Sequence, residues 1–417
     1  MAAAQPSWLN RNVAGMALTS LLADACYEMI IAVLPGFLTA IGVAAGALGW
    51  IEGVADATAS FVKLGAGWYS DRLGHRKSIV AIGYFLTGTA MSVFALALAW
   101  PLVLAGRVVG WLGKGIRGPL RDAMLAESID PQARGKAFGL HRAADTVGAV
   151  VGPLLGVGLL AALPAPSPSA PFRVVFVVSL LPGLASVAAF VLLVQESRKP
   201  PQRRLRFWGA MRDLPAAYRR FLRGVGLFGL GDFSHTLLIL AAATLLAPAH
   251  GAVRAAQLAA LLYVLRNVVY AAASYPIGAL ADRTEKPPLL AAGYGVGALT
   301  AFSAAALFLF RVSNLAALAG VFVVAGVYIA AEDALEGAIP ADLVAPEKRG
   351  AAYGLMGAVN GFGDLGASVL VGTLWTAVSP AVSFSCAGAL MLLGALLLVA
   401  GGPAPATAGY PPRSAPS

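Results

Sequence analysis

The sequence predicts an all-α integral membrane protein in which twelve transmembrane helices form two similar six-helix halves. Apolar residues make up 59% of the 417 residues and charged residues only 12%, whereas about 25% of residues in soluble proteins are charged. Runs of about 20 apolar residues, the length that crosses a bilayer, recur twelve times. Two motifs of the first half also recur in the second. These observations exclude a soluble fold and favour a membrane bundle.

The predicted spans are separated by connections whose charge alternates. We expect the spans at residues 13–40, 46–69, 78–99, 102–124, 137–163, 172–194, 222–247, 255–281, 288–310, 315–339, 350–378 and 381–401. Every second connection is rich in Lys and Arg, at residues 70–77, 134–136, 195–223, 283–286 and 348–349. Because short basic connections lie on the cytoplasmic side, we expect both chain termini to be cytoplasmic.

The net charge of +10 follows from these connections and does not indicate nucleic-acid binding. Basic residues are densest between the two halves, where apolar residues recur among them at helical spacing. This pattern predicts an amphipathic helix along the inner leaflet, and a flexible tether is the alternative. The expected organisation is an N-terminal half at residues 1–194, a basic cytoplasmic linker at 195–221, a C-terminal half at 222–402 and a disordered cytoplasmic tail at 403–417.

An internal repeat supports the division into halves. The pattern G-x-x-x-D-R at residues 67–72 recurs at 278–283, which is 211 residues later. The segment R-G-K-A-F-G-L at 134–140 recurs as R-G-A-A-Y-G-L at 349–355, which is 215 residues later. Two matches at nearly equal offsets indicate tandem six-helix units with parallel topology.

The connection between spans 2 and 3 carries the most specific motif. Residues 67–77 read G-W-Y-S-D-R-L-G-H-R-K. The residues that fill the pattern G-x-x-x-D-R-x-G-R-R are Gly67, Asp71, Arg72, Gly74 and Arg76. Here the chain resembles the major facilitator superfamily of transporters, of which this pattern is a signature. The resemblance implies two pseudo-symmetric halves around a central cavity, a conformational switch at these five residues, and pairing of Arg76 with Asp122 or Glu127 at the end of span 4.

Span 5 carries a second motif. Its residues Gly139, Gly148, Gly152, Pro153 and Gly156 are similar to the antiporter motif of drug-exporting members, except that Val157 replaces the usual last glycine. Small residues allow a neighbouring helix to approach closely, and the proline bends the helix. The resemblance implies export by exchange, and simple helix packing is the alternative.

Three carboxylates lie within predicted spans, where a charge costs at least about 2.5 kcal/mol. Asp24 and Glu28 are four residues apart and so share one face of span 1. Asp232 lies at the repeat-equivalent place in span 7. Because burial in a low dielectric disfavours the charged form, such a carboxyl group can be neutral facing one compartment and ionised facing the other. We expect these three to couple transport to protons, or else to pair with basic residues of neighbouring helices.

Span 4 carries a basic stripe. At 100° per residue its four members fall within an arc of about 80°; they are Arg107, Lys114, Arg117 and Arg121. With the offset of 215, Arg117 and Arg121 map to Glu332 and Glu336. We expect these opposite charges to pair across the two halves as a gate near the cytoplasmic mouth. Alternatively, the arginines bind an anionic substrate and the acidic residues, with Asp333 among them, bind a cation.

The sequence therefore predicts a proton-coupled secondary transporter that exports a small organic molecule by alternating access. The first alternative is a proton-coupled uptake symporter for a small anion. The second is a non-transporting membrane sensor or scaffold on the same fold. No nucleophile, base and orienting group occur together, so no enzymatic activity, catalytic residue, cofactor or metal site is expected.

The expected partners are a small-molecule substrate, protons and membrane lipids, without nucleic acid, and the expected state is a monomer. The cysteines Cys26 and Cys386 lie in apolar runs at opposite ends of the chain, without the spacing of a disulfide framework or a metal site. Compact loops and the absence of a sorting signal favour a bacterial inner membrane.

Overall fold

The computed structural model describes residues 9–73, 76–130, 133–164, 166–196, 214–345 and 349–400 and, within them, only the backbone of residues 67–73, 350 and 351. These ranges hold helices joined by short turns and no strand. The helices are α1 (Arg11–Ala40), α2 (Ala45–Leu73), α3 (Lys77–Thr89, continued by a 3₁₀ segment Ala90–Leu96), α4 (Trp100–Glu127), α5 (Arg134–Ala162), α6 (Ala170–Val178), α7 (Leu180–Leu193), α8 (Ala216–Gly229), α9 (His235–His250), α10 (Ala252–Ala281), α11 (Lys286–Leu309), α12 (Leu315–Leu343), α13 (Arg349–Ala377) and α14 (Pro380–Ala400).

Every predicted span coincides with helical structure. Nine helical segments of the described ranges are long and apolar enough to cross a membrane. The other predicted spans are α2 and α4, which carry several charged residues, and the pair α8 and α9, which is interrupted. The fold is the predicted one of two six-helix halves. The predicted linker lies outside the described residues from 197 to 213, and so does the predicted tail at 403–417.

Two spans that we predicted as single helices are interrupted. Span 6 divides at Ser179 into α6 and α7. Span 7 divides between α8 and α9, and Asp232 lies in the interruption. A Cβ atom on Gly231 would overlap the carbonyl oxygen of Ala387 on α14, so the backbone approaches α14 closely at this glycine. Ser234 then caps α9 through its side chain. The close packing of Gly231 against α14 and the capping of α9 by Ser234 therefore both account for the interruption.

The last part of the predicted linker is not free on a membrane surface. Tyr218 and Phe221, two of the residues at helical spacing, are buried in the first turns of α8. The Tyr218 hydroxyl donates a hydrogen bond to the carbonyl oxygen of Ala352 on α13, at 2.6 Å. This end of the segment therefore belongs to the second half.

The two halves meet mainly along two helix pairs, α2 with α13 and α5 with α10, and α1 also contacts α9 and α10. We call the end of the bundle at which α1 begins and α14 ends the terminal face, and the other end the opposite face. Near the opposite face the backbone N–H of Gly46 donates to Thr376 at 2.9 Å. Near the terminal face, an added Cβ on Gly139 or Gly278 would find no atom within 4 Å. The halves thus touch near the opposite face, whereas these two glycines of α5 and α10 pack against no described residue near the terminal face.

Helices α1 and α5 pack closely, because glycines of α5 face α1. A Cβ on Gly152 would lie 2.5 Å from the carbonyl oxygen of Ala25. We therefore expect Gly152→Val to force α1 and α5 apart and to lower stability by about 1–3 kcal/mol, the usual cost of overpacking. Thermal unfolding of the purified protein measures this. The control is Gly158→Val, also on α5, because a Cβ there meets nothing within 4 Å. Equal stability of the two variants would contradict the packing argument.

Candidate functional site

A cavity of about 560 Å³ lies between α1, α2, α4 and α5 of the first half and α10 of the second. It extends from the middle of the bundle toward the terminal face, because its α4 and α5 residues lie in the halves of those helices that are nearer this face. Its charged lining consists of six basic residues and four acidic ones: Lys63, Lys114, Arg117, Arg121, Arg142, Arg266, Asp24, Glu28, Asp122 and Asp145. The cavity is therefore polar, and it carries more positive than negative groups.

The two predicted carboxylates of α1 both line this cavity and are almost completely buried. Asp24 is 9% exposed, and its carboxylate lies 3.9 Å from the guanidinium of Arg117. That separation allows attraction without a hydrogen bond. Glu28 accepts a hydrogen bond from the hydroxyl of Tyr263 on α10, at 2.9 Å. Glu28 thus joins the two halves, whereas Asp24 interacts within the first half.

The antiporter-like motif of α5 packs behind Asp24. A Cβ on Gly148 would lie 2.5 Å from the carbonyl oxygen of Leu21 and 2.9 Å from the Cβ of Asp24. Gly152 and Gly156 face the following turns of α1, near Ala25 and Met29, and Pro153 is buried within α5. Gly139 is outside this contact. Four of the five motif residues therefore lie where α5 packs against the part of α1 that carries Asp24.

The basic stripe of α4 does not act as one unit. Arg107 is fully buried away from the cavity, where it pairs with Glu52 at 2.5 Å and lies 3.6 Å from the ring centre of Trp111. Lys114 and Arg117 line the cavity one turn apart. Arg121 donates to Asp122 at 2.9 Å and to Ser20 at 3.2 Å. The four basic residues lie on one side of α4 as predicted, but they have different surroundings because they lie at different positions along the helix axis.

The expected pairs between Arg117 or Arg121 and Glu332 or Glu336 are not formed in this conformation. Glu336 accepts hydrogen bonds from Tyr294 and, at 2.8 Å, from Asn360, both in the second half. The described contacts of the two arginines lie in the first half. The gate therefore stays a prediction for a different conformation, one that is closed at the terminal face.

Acidic residues of the second half form a separate group that does not line the cavity. Asp232 accepts a hydrogen bond from the Tyr328 hydroxyl at 2.8 Å. The Oε2 atom of Glu332 is buried without a hydrogen-bond partner in the described structure. Asp333 accepts from Tyr270 at 2.6 Å. His235 stacks on Tyr263, with ring centres 5.0 Å apart.

The switch motif is described in part. Gly67, Asp71 and Arg72 form the backbone of the last turns of α2, and Gly74 lies outside the described residues. Arg76 pairs with Glu127 at 2.8 Å, so of the two acids expected at the end of α4 it is Glu127 that pairs with it. The Arg76 backbone N–H also donates to Glu196. This contact ties the start of α3 to the end of the first half.

Sequence reasoning missed the hydroxyl groups that join the halves. Ser234 donates to Glu52 at 3.2 Å, and Tyr263 donates to Glu28. A hydroxyl on a long apolar helix has no pattern that distinguishes it from others, so no sequence signal was available. Both cysteines are free, and the described residues contain no group of side chains that could hold a metal ion.

Comparison with known proteins decides the family. The family model of the Major Facilitator Superfamily matches residues 16–250 and 224–416. The chain belongs to the major facilitator superfamily. It is 28% identical over 391 residues to an uncharacterized MFS-type transporter of Methanocaldococcus jannaschii, covering 94% of this chain and 95% of that protein.

Two further similarities are more limited. The multidrug resistance protein MdtH of Cronobacter sakazakii is 36% identical over 121 residues, which are 27% of this chain and 30% of that protein. The crystal structure of the nucleoside transporter NupG matches the fold with a TM-score of 0.75 at 11% identity, covering 93% of this chain and 98% of that one. This superfamily member is therefore a multi-pass membrane transporter.

Proposed function

We propose that this transporter couples the movement of a small organic molecule to protons, and that Asp24 carries the coupling proton. The observation that carries the proposal is the position of Asp24, a nearly buried carboxyl group at the cavity wall without a hydrogen bond to its cation. Burying an unbonded charge is costly. A change in the exposure of the cavity therefore changes the protonation of this group.

The arrangement of the halves supports alternating access. The cavity lies toward the terminal face, and the halves touch at the opposite face. When one half rocks against the other, the closed end of the bundle opens and the open end closes. We place the terminal face in the cytoplasm, because the basic connections lie there, and the protein in a bacterial inner membrane. Glu28 and Asp232 are further proton candidates.

Export in exchange for protons is the first candidate for the direction of transport. The α5 motif, which resembles that of drug exporters, packs directly behind Asp24, so a proton on Asp24 and the α1–α5 contact are mechanically linked. The partial similarity to a multidrug resistance protein agrees with this direction.

Co-transport of a proton with a small anion is the second candidate. The cavity has six basic residues against four acidic ones. Among the described residues, Lys114 contacts the rings of Tyr27 and Trp111 and forms no ion pair. A cavity of this charge attracts a negatively charged molecule.

Proton movement in liposomes tests the coupling. Purified protein is reconstituted in vesicles that contain a pH-sensitive dye, and gradients of pooled metabolites and of cationic drugs are imposed. We expect proton movement driven by a pool, and its loss in Asp24→Asn because the amide cannot exchange a proton. Asp342→Asn is the control, since Asp342 is exposed on α12 and pairs with Lys286 at 2.5 Å.

The direction of the proton separates the candidates. Movement opposite to the substrate establishes exchange, and movement with it establishes co-transport. Substrate flux without proton movement contradicts the coupling. Absence of flux with every pool favours the sensor or scaffold.

A further inference from the structure

Lys114 presents an ammonium group to the cavity without a charged partner in contact. Its Nζ atom lies 4.5 Å from the ring centre of Tyr27 and 4.6 Å from that of Trp111. Among the residues that the structure describes, these ring contacts are its direct interactions, with no hydrogen bond or ion pair. Aromatic faces attract a cation but do not neutralise it. The ammonium group therefore keeps its capacity to bind an anion.

Arg117 lies one turn further along α4 and has unused donors. It is 2% exposed, and its Nε and Nη1 atoms are buried without a hydrogen-bond partner in the described structure. Its Nη2 atom is 3.9 Å from Asp24, and its guanidinium lies 4.4 Å from the ring centre of Tyr84. A guanidinium has five N–H donors. Leaving several of these donors buried without a hydrogen bond is costly. This side chain is therefore suited to bind a ligand that accepts hydrogen bonds.

The two cations lie on the same face of α4, because residues three apart in a helix are neighbours. Arginine binds carboxylate and phosphate groups through paired N–H donors, and lysine adds a point charge. The ring of Tyr27, which lines the cavity beside the ammonium group, provides apolar surface for the organic part of a ligand. This combination suits a negatively charged organic molecule better than an inorganic ion.

We propose that Lys114 and Arg117 bind the carboxylate or phosphate group of an organic anion, and that a proton on Asp24 strengthens this binding by releasing Arg117. The proposal rests on the function proposed above for Asp24. The anion and the proton then bind together and move in the same direction. The inference therefore selects co-transport over exchange.

The other charges around Asp24 permit this linkage. Lys114 on α4, Asp145 on α5 and Glu28 on α1 face Asp24 together with Arg117. Glu28 is held by the hydroxyl of Tyr263, and Asp145 lies 3.5 Å from the ring of His141. Of these acidic groups, Asp24 is the one that forms an ion pair with Arg117. Its protonation therefore changes the charge available to an anion.

Binding to the purified full chain tests the charge preference with probes that share one ring. Benzoate, phenylphosphate, benzylamine and benzyl alcohol are added separately, and thermal unfolding is followed. We expect benzoate or phenylphosphate, or both, to raise Tm, and the preferred anion identifies a carboxylate or a phosphate site. Stabilisation by benzylamine but not by the anions would overturn the proposal, and so would stabilisation by none of the four.

Variants test the residues. Lys114→Gln and Arg117→Gln are each expected to weaken the affinity for the stabilising anion by about tenfold or more. Lys114→Arg keeps the positive charge and is expected to preserve the affinity. If Arg117→Gln does not fold, the two Lys114 variants still test the site. Lys286→Gln is the matched control, since Lys286 is a half-buried lysine that pairs with Asp342 and does not line the cavity. Unchanged affinity in Lys114→Gln would show that the site is elsewhere.

The pH dependence of anion affinity tests separately whether protonation of Asp24 strengthens anion binding. Affinity in the wild type is expected to rise as pH falls, and Asp24→Asn is expected to bind several-fold more tightly with a weaker pH dependence. An Asp24→Asn protein that binds no better than the wild type overturns the linkage. Since binding is measured without a membrane or a gradient, lost anion binding with intact proton-coupled flux refutes this inference alone. Anion binding without coupled flux refutes the proposed function instead.

Discussion

Replacement of Arg107 by methionine is expected to destabilise the protein by about 3–5 kcal/mol, the usual cost of removing one partner of a buried ion pair. Both Arg107 and Glu52 are completely inaccessible to solvent, and their charged atoms are 2.5 Å apart. Without the guanidinium, the Glu52 carboxylate keeps only the hydroxyl of Ser234 at 3.2 Å. Loss of the stacking on Trp111 adds to the effect.

The double replacement Arg107→Met with Glu52→Met separates the charge effect from the loss of packing. Removing both charges leaves apolar side chains of comparable size, which is often close to neutral. We therefore expect the double variant to be clearly more stable than Arg107→Met in thermal or chemical unfolding. Arg219→Met, on the exposed side of α8, is the control for removal of an arginine. If the double variant is as unstable as the single one, the stranded charge is not the cause.

The same pair also has a place in the contact between the halves. Glu52 lies on α2, and its second partner, Ser234, begins α9 immediately after the interruption of span 7. The Ser234 backbone N–H donates to Ser368 on α13 at 3.0 Å. The buried pair of Arg107 and Glu52 therefore takes part in a polar contact that links both halves.

The architecture could be predicted from the sequence because it depends on composition and repetition. Bilayer thickness fixes the length of a span, and the offsets of 211 and 215 residues fix the two halves. The interruption of span 7 could not be predicted, because glycine, aspartate and serine also occur within the uninterrupted helices α1 and α2. It depends on the close approach of Gly231 to α14 and on a hydrogen bond from Ser234 to a distant helix.

The candidate site was predictable in its charges but not in its pairings. The cost of burying a charge singles out Asp24, Glu28 and the cations of α4 in any apolar run. Several of their partners are hydroxyl and ring groups of other helices, such as Tyr263 for Glu28 and Tyr27 for Lys114, which carry no charge to reveal them. The helical arc correctly placed Arg107 in line with Lys114. The position of a residue around the helix axis does not tell whether it reaches the cavity. That depends on which helix packs against α4 at the level of the residue.

Charge reversal at Arg121 and Glu336 is expected to have the largest effect on transport. Alternating access requires a conformation closed at the terminal face, in which α4 and α12 approach each other. Positions related by the repeat meet across the pseudo-twofold axis, and these two carry opposite charges. In the present conformation Arg121 donates a hydrogen bond to Asp122, and Glu336 accepts one from Asn360. Each single reversal places like charges at the contact and blocks closure.

We therefore expect Arg121→Glu and Glu336→Arg each to reduce transport by about tenfold or more, equivalent to about 1.4 kcal/mol in the barrier. The double reversal restores the attraction and is expected to recover much of the rate. Transport is measured in proteoliposomes with the pool that drives proton movement in the wild type. Arg219→Glu, a reversal at an exposed arginine of α8, serves as the control. Folded single variants that both fail, with a double variant that recovers nothing, would show that the two residues act separately. The gate would then have to be sought at other contacts between α4 and α12.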